Sequence, residues 1–315
     1  MQIHQLKTNR IKNPVGFQLD RVQLSFVIEA ELDELINKLR IEVSTDETFN
    51  EILMRNDVTV QDGIGYELDI KLQSQTRYYW RVEAVLQNRE SVISEYAYFE
   101  TGLLTGFSAS FISPDFDDAH PILFRHFSCN KEVQSARLYV CGLGLYEASL
   151  NGSKVGQEYL TPYFNDYDAF LQYQTFDVTD LLGNENDLEV MLGNGWYKGR
   201  FGLEQKNNIY GDAFVLIAEL HIEYIDGSKE KVETDQTWLS KRSSIIDGNI
   251  YDGEIVDATK VNQESHPVRV IDWDRSRLVE RISLPVIEKA RLTPNLIISP
   301  KGEQILDFGQ NMVGF

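Results

Sequence analysis

The chain has 315 residues, 49 of them Asp or Glu against 30 Lys or Arg, for a formal charge of −19. A surface this acidic repels phosphate backbones and excludes nucleic acid as a partner, while 42% hydrophobic and 11% aromatic residues suit packed cores in two or three domains rather than disorder. No apolar run approaches the ~18 residues of a membrane helix and no Lys/Arg cluster offers a membrane patch; the amino terminus lacks a charged segment followed by an apolar run, which points to a cytoplasmic location.

The pattern is that of an all-β protein, short runs of Val, Ile, Tyr, Phe and Leu separated by turn signals. Residues 1–102 read as a small β-sandwich. Stretches 22–27 and 40–44 alternate apolar and polar, 76–84 is a strong strand around Tyr78-Tyr-Trp-Arg-Val82, and 97–102 closes the unit. This order is similar to a fibronectin type III module. Leu32, Leu35, Ile36 and Leu39 fall at helical spacing with Glu, Asp and Lys opposite, which predicts a short helical insertion before the Arg40 strand.

Residues 103–284 read as a larger jelly-roll sandwich. Strands are expected over 137–146, 172–178, 187–192, 214–224 and 229–234. Cys129 and Cys141 lack disulfide-framework or metal-ligand spacing and read as buried free thiols. Asp62-Gly63, Asn151-Gly152, Asp226-Gly227, Asp247-Gly248 and Asp252-Gly253 are hairpin signals, since a type I′ turn needs positive φ at both central residues. Residues 285–315 would begin a further β-domain.

A search for catalytic machinery returns nothing. No glycine-rich run leads into a helix with Lys-Ser or Lys-Thr, and no nucleophile elbow is present. His4, His120, His126, His221 and His266 form no zinc spacing. Hydrolysis of a glycoside needs two facing carboxylates, and 49 acidic residues offer no way to choose a pair. Two loops do concentrate groups that hold sugars, aromatic faces for C–H patches and amides or carboxylates for hydroxyls. One carries Asn165, Asp166 and Asp168; the other carries Asn194 and Trp196. The alternative for both is structural, with Asn and Asp shaping turns and Trp196 closing a core.

Three motifs within the second sandwich, Ala136-Arg-Leu-Tyr-Val-Cys-Gly-Leu-Gly-Leu-Tyr-Glu-Ala-Ser-Leu-Asn-Gly152, Leu160-Thr-Pro-Tyr-Phe-Asn-Asp-Tyr-Asp168 and Leu192-Gly-Asn-Gly-Trp-Tyr-Lys-Gly199, resemble the N-terminal β-region of bacterial α-L-rhamnosidases, glycoside hydrolase family 78. Ile305-Leu-Asp-Phe-Gly-Gln-Asn-Met-Val-Gly-Phe315 resembles the opening of their next β-domain. The resemblance implies an accessory region of an enzyme that removes terminal α-L-rhamnose with inversion. The catalytic residues would lie in an (α/α)6 barrel on the C-terminal side, for which this chain has no helical pattern, so the chain alone is expected to be inactive and no catalytic residue is assigned. Tyr251, Asp252 and Glu254 lie in a stretch that also resembles the family and would rim the sugar pocket. Likeness to family 67 carbohydrate-binding modules implies rhamnose recognition aided by Ca2+, with Asn165, Asp166 and Asn207 as candidate ligands; no other cofactor is implied. Two alternatives stand beside this reading, an autonomous rhamnose-binding module and a scaffold without ligand.

Overall fold

The computed structural model describes residues 1–31, 34–88, 90–260 and 264–312. Among them there is no α-helix, only short 3-10 turns such as Val60–Ile64 and Arg275–Arg277. The protein is all-β, a fibronectin type III-like sandwich followed by a jelly-roll sandwich and a C-terminal hairpin.

Period-two burial builds the first sandwich. In Arg77–Leu86 every second side chain is buried, the signature of a strand with one face on a core. This strand pairs with Ile36–Ser44 on one side and with Ser91–Ile93 and Ala97–Glu100 on the other, and Ile52–Val58 completes the sheet. Gln2–Thr8, Gln23–Glu29 and Tyr66–Glu67 form the opposing sheet. Leu24, Phe26, Ile41, Val43, Trp80 and Phe99 fill the space between them, and the buried Trp80 indole N–H is satisfied by Thr8 Oγ1 at 3.1 Å.

The helical insertion expected at Leu32–Leu39 does not form. Leu39 is buried opposite Ala84 inside the Ile36–Ser44 strand, and Leu32 lies outside the described residues. Leu39, Ile41 and Val43 also alternate with period two. Ladder pairing on both edges of this strand outweighs a four-residue helical spacing.

In the second sandwich one layer contains Leu145–Leu150, Glu185–Gly193, Pro121–Ser128 and Leu239–Arg242. The other contains Phe111–Pro114, Val215–Tyr224, Val133–Leu143 and Leu171–Asp177. His266–Ile271 joins them, pairing at its start with Leu239–Arg242 and at its end with Phe111–Pro114. Leu138, Val140, Leu216 and Leu220 of one layer share a core with Leu123, Leu150, Leu188 and Val190 of the other. A second cluster, with Tyr139, Tyr173 and Ile217, lies under the segment from Leu103 to Phe111. Cys129 and Cys141 are free and buried, and burial pushes the Cys141 thiol up to about 12.

Of the hairpin signals, Asn151-Gly152 has positive φ at both residues and joins Leu150 to Ser153. Asp226-Gly227 and Asp252-Gly253 turn with only the glycine at positive φ. Asp62-Gly63 lies in a 3-10 turn, and Asp247-Gly248 sits within the strand Ile245–Asn249. The C-terminal hairpin, Asn295–Ile298 with Gln304–Asp307, leaves Leu296, Ile297, Ile298, Ile305 and Leu306 exposed; Val313, Gly314 and Phe315 of the expected strand lie outside the described residues.

The two sandwiches meet along a polar seam. The Glu100 carboxylate of the first receives Arg77 of its own unit and Arg137 of the second. Phe17 bridges to Arg281, and Gln75 Nε2 donates to Tyr139 Oη at 3.3 Å.

Candidate functional site

Close backbone approach creates the central loop. The strand Glu185–Gly193 ends against Gly144, where the neighbouring chain breaks between two strands. Gly144 has φ +106°, and a Cβ there would lie 2.3 Å from the Gly193 carbonyl oxygen. Gly195 has φ +54°, and its Cβ would meet the Gly144 carbonyl carbon at 2.7 Å. Only glycine fits both positions, so Leu192-Gly-Asn-Gly-Trp196 is first a packing motif, and its consequence is to present Trp196 at the surface.

A hairpin from a distant part of the sequence is fastened to this loop. Ile245–Asn249 pairs with Gly253–Val256, placing Tyr251 and Asp252 at the tip and Glu254 opposite Gly248. Asn194 Nδ2 donates to the Gly248 carbonyl at 2.9 Å, and the Arg200 N–H donates to Asn249 Oδ1 at 3.2 Å. The Arg200 guanidinium takes both Asp252 oxygens, at 2.9 and 2.8 Å, a bidentate geometry that fixes orientation as well as distance. Hydrogen bonding to Asp252 raises the Arg200 pKa. At the surface, the Trp196 indole N–H donates to Tyr251 Oη at 3.2 Å.

The loop that follows Thr161 supplies the third wall. Phe164 meets Trp196 edge-on at 6.1 Å between ring centroids and Phe201 at 5.5 Å. Phe164 and Tyr251 are exposed, Trp196 and Phe201 half-buried, so four rings from three loops frame one surface. Exposed carboxylates of Asp166, Asp168, Asp252 and Glu254 belong to the same loops. Apolar ring faces beside hydroxyl-accepting oxygens suit a polyhydroxylated ring with one apolar face.

Beneath the hairpin lies His120, 6% exposed. Its backbone N–H donates to the Ile245 carbonyl and its carbonyl accepts from Ser243, and its ring packs on Phe214. Burial lowers its pKa, against the pull of Asp247 and with the push of Lys198.

The structure thus unites Asn194, Trp196, Tyr251 and Glu254, and sets the loop carrying Asp166 and Asp168 beside them through Phe164. Asn165 is a correction. It is fully buried, and its Oδ1 accepts from the Gln172 backbone N–H at 3.0 Å and from Gln172 Nε2 at 3.2 Å. Both lone pairs of that oxygen are committed, so Asn165 Oδ1 is not free to ligate calcium, and burial keeps the residue from the exposed surface, its Nδ2 lying buried without a hydrogen-bond partner. Asp166 Oδ1 accepts from the Asp168 N–H at 3.3 Å, and Asn207 is exposed on the loop that folds back through the Phe201–Lys206 bridge. Among the described residues no group of three or more His, Cys, Asp or Glu is arranged so that it could hold a metal ion. Sequence reasoning missed Phe164, Phe201, Arg200 and His120. Arg200 and Asp252 lie 52 positions apart, and no periodicity links them.

The chain and its fold are similar to known proteins. Residues 131–290 match the family model described as alpha-L-rhamnosidase N-terminal domain, and residues 3–105 match a Rha78A-like N-terminal immunoglobulin domain. An alpha-L-rhamnosidase of Formosa agariphila is 29% identical over 98% of this chain and 38% of its own length. One from Streptomyces avermitilis is 36% identical over 59% of this chain and 19% of its own length. The crystal structure of the Aspergillus terreus alpha-L-rhamnosidase superposes with a TM-score of 0.83 at 30% identity, covering 99% of this chain and 39% of that one. The chain therefore spans well under half the length of these relatives. With both sandwiches matched in order, the chain belongs to the alpha-L-rhamnosidase N-terminal domain family.

Proposed function

We propose that this chain is the accessory N-terminal region of an α-L-rhamnosidase that hydrolyses terminal α-L-rhamnosides of plant glycosides or polysaccharides, and that it binds a rhamnose-containing glycan at the surface framed by Phe164, Trp196, Phe201 and Tyr251. The observation that carries the binding reading is the convergence of three loops, distant in sequence, on four aromatic rings flanked by carboxylates. A core tryptophan would have no need of an exposed tyrosine tip held over it. The hydrolytic step belongs to residues outside this chain: an inverting glycosidase places an acid and a base on opposite faces of the sugar, and none of the carboxylates here is assigned either role.

The test is calorimetric titration of the purified chain with L-rhamnose, with and without millimolar calcium, for wild type, Trp196→Ala and Asp166→Ala. Saturable binding lost in Trp196→Ala supports the reading. Calcium dependence would bring Asp166 and Asn207 back as ligands, without Asn165. Absence of binding in every condition overturns it and favours a scaffold role, the reading that the exposed apolar hairpin Asn295–Asp307 supports.

A further inference from the structure

The first sandwich is open along one side. Gln2–Thr8 ends one of its sheets and Ser91–Ile93 ends the other. Between them lies a cleft of about 680 Å³ whose walls belong entirely to this sandwich, a volume within the roughly 300–1,000 Å³ of small-molecule sites. Both strand edges are blunted against a further strand. Gln2–Thr8 carries a register shift between His4 and Lys7, with Gln5 at φ +53°, and Ser91–Ile93 is three residues long. Bulges and short edge strands disfavour strand addition, so a compact ligand suits the cleft better than an extended peptide. Its chemistry is set by the side chains around it. Tyr96 lines one wall, 48% exposed, its ring at 83° to that of Tyr79 with 5.4 Å between centroids. Half-buried Leu6 adds apolar carbon. Asn13 Oδ1 accepts the Tyr98 N–H at 3.0 Å, which fixes the amide and leaves Nδ2 as a donor. Gln5 brings an exposed amide, Lys7 and Lys12 bring donors, and Glu95 brings an acceptor. A wholly apolar ligand would leave these polar groups unpaired, and a ligand of one charge would face a like charge. An aromatic face beside donors and acceptors of both signs matches a neutral ring with hydroxyls around it.

We propose that this cleft is a second saccharide site, in which the Tyr96 ring stacks on the C–H face of a neutral sugar and Asn13 Nδ2 donates to one of its hydroxyls. No residue of the Trp196 surface lines it, so the inference stands or falls apart from the reading above. A chain with both sites holds a glycan at each sandwich.

The experiment is NMR titration of the whole chain with L-rhamnose, D-galactose, D-glucose and D-xylose, following the backbone amide signals of residues 2–7 and 92–97. At least one of these sugars is expected to shift the cleft signals saturably in the wild type, a readout that does not require any variant to fold. Tyr96→Ala is expected to weaken that binding about tenfold, the scale of one aromatic contact. Tyr96→Phe keeps the ring and is expected to bind within about threefold of wild type. Cleft signals that stay still with every sugar overturn the site, and shifts confined to residues 194–201 and 249–253 do so while leaving the Trp196 surface standing. Wild-type affinity in Tyr96→Ala overturns the stacking role and the site with it. D-Galacturonate binding more tightly than D-galactose would make the ligand acidic and overturn the neutral assignment. An octapeptide of alternating Thr and Val is the strand probe; saturable cleft shifts with the peptide and none with the sugars overturn the saccharide assignment in favour of strand addition.

Discussion

Glu100→Gln tests whether the two sandwiches act as one unit. The carboxylate is 3% exposed. It accepts from Arg77 Nε at 2.8 Å and from Arg137 through Nε at 2.6 Å and Nη2 at 3.0 Å. Removing one partner of a buried ion pair costs ~3–5 kcal/mol, because the remaining charges stay desolvated. Here Asp177 still stands 2.9 Å from Arg137, and the substituted amide keeps one acceptor, so the lower end, ~3 kcal/mol, applies. At ~2 °C per kcal/mol for a chain of this size, the midpoint should fall by about 6 °C. The bond crosses the seam, so the single calorimetric transition expected of wild type should separate into two. Asp177→Asn is the internal control. That carboxylate touches the same arginines but is 45% exposed, and its loss should cost under ~1 kcal/mol. Differential scanning calorimetry near physiological salt decides. Glu100→Gln melting within about 1 °C of wild type, or Asp177→Asn melting as early as Glu100→Gln, would refute the claim that burial sets the value of the seam.

Acidification should destabilise the protein in part through Glu219. Burial raises its pKa, but hydrogen bonds from His221 and from the Ala109 and Ser108 N–H groups lower it further, and the net shift is downward. A depressed folded-state value contributes stability that is fully present above the unfolded value, near ~4.3, and is lost as pH falls through the folded one; urea titrations should show this loss, and Glu219→Gln should flatten it. Gly144→Ala should cost more than ~2 kcal/mol, combining a left-handed-side backbone penalty with backbone overlap, and should disorder the Trp196 loop; a wild-type midpoint together with an unchanged near-ultraviolet circular dichroism spectrum would contradict this. Arg200→Ala should release the hairpin tip, seen as faster amide exchange over 249–253, while the Trp80 core keeps its protection; equal exchange in both proteins would show that Trp196–Tyr251 and Asn194–Gly248 suffice.

Much of the fold was legible in the chain itself. Arg77–Leu86 was located closely and alternates in burial, because a strand with one face on a core must alternate, while Val215–Tyr224 was marked by its apolar run and is buried on both faces over its first six residues. The Leu32–Leu39 error shows the limit of local periodicity: Leu39 fits a helical spacing with Leu35 and Ile36 and a period-two run with Ile41 and Val43, and ladder partners on both sides selected the strand. Asp247-Gly248 failed as a turn for a related reason. Its glycine serves the His120 ring beneath it, not a reversal of the chain.

The amino-acid order alone determined the all-β class, the succession of two sandwiches and the family motifs, since these rest on side-chain alternation and on residue types at fixed spacing. It also marked Trp196, Asn194 and Tyr251. Only the tertiary structure decided that these three lie together, that Asn165 Oδ1 is turned inward onto Gln172, and that Phe164 and Arg200 adjoin them with His120 buried beneath. The reason is physical: hydrogen bonds and ring contacts act over a few ångströms in space, and the segments that make them are brought within that range by sheet pairing between residues about fifty to more than a hundred positions apart.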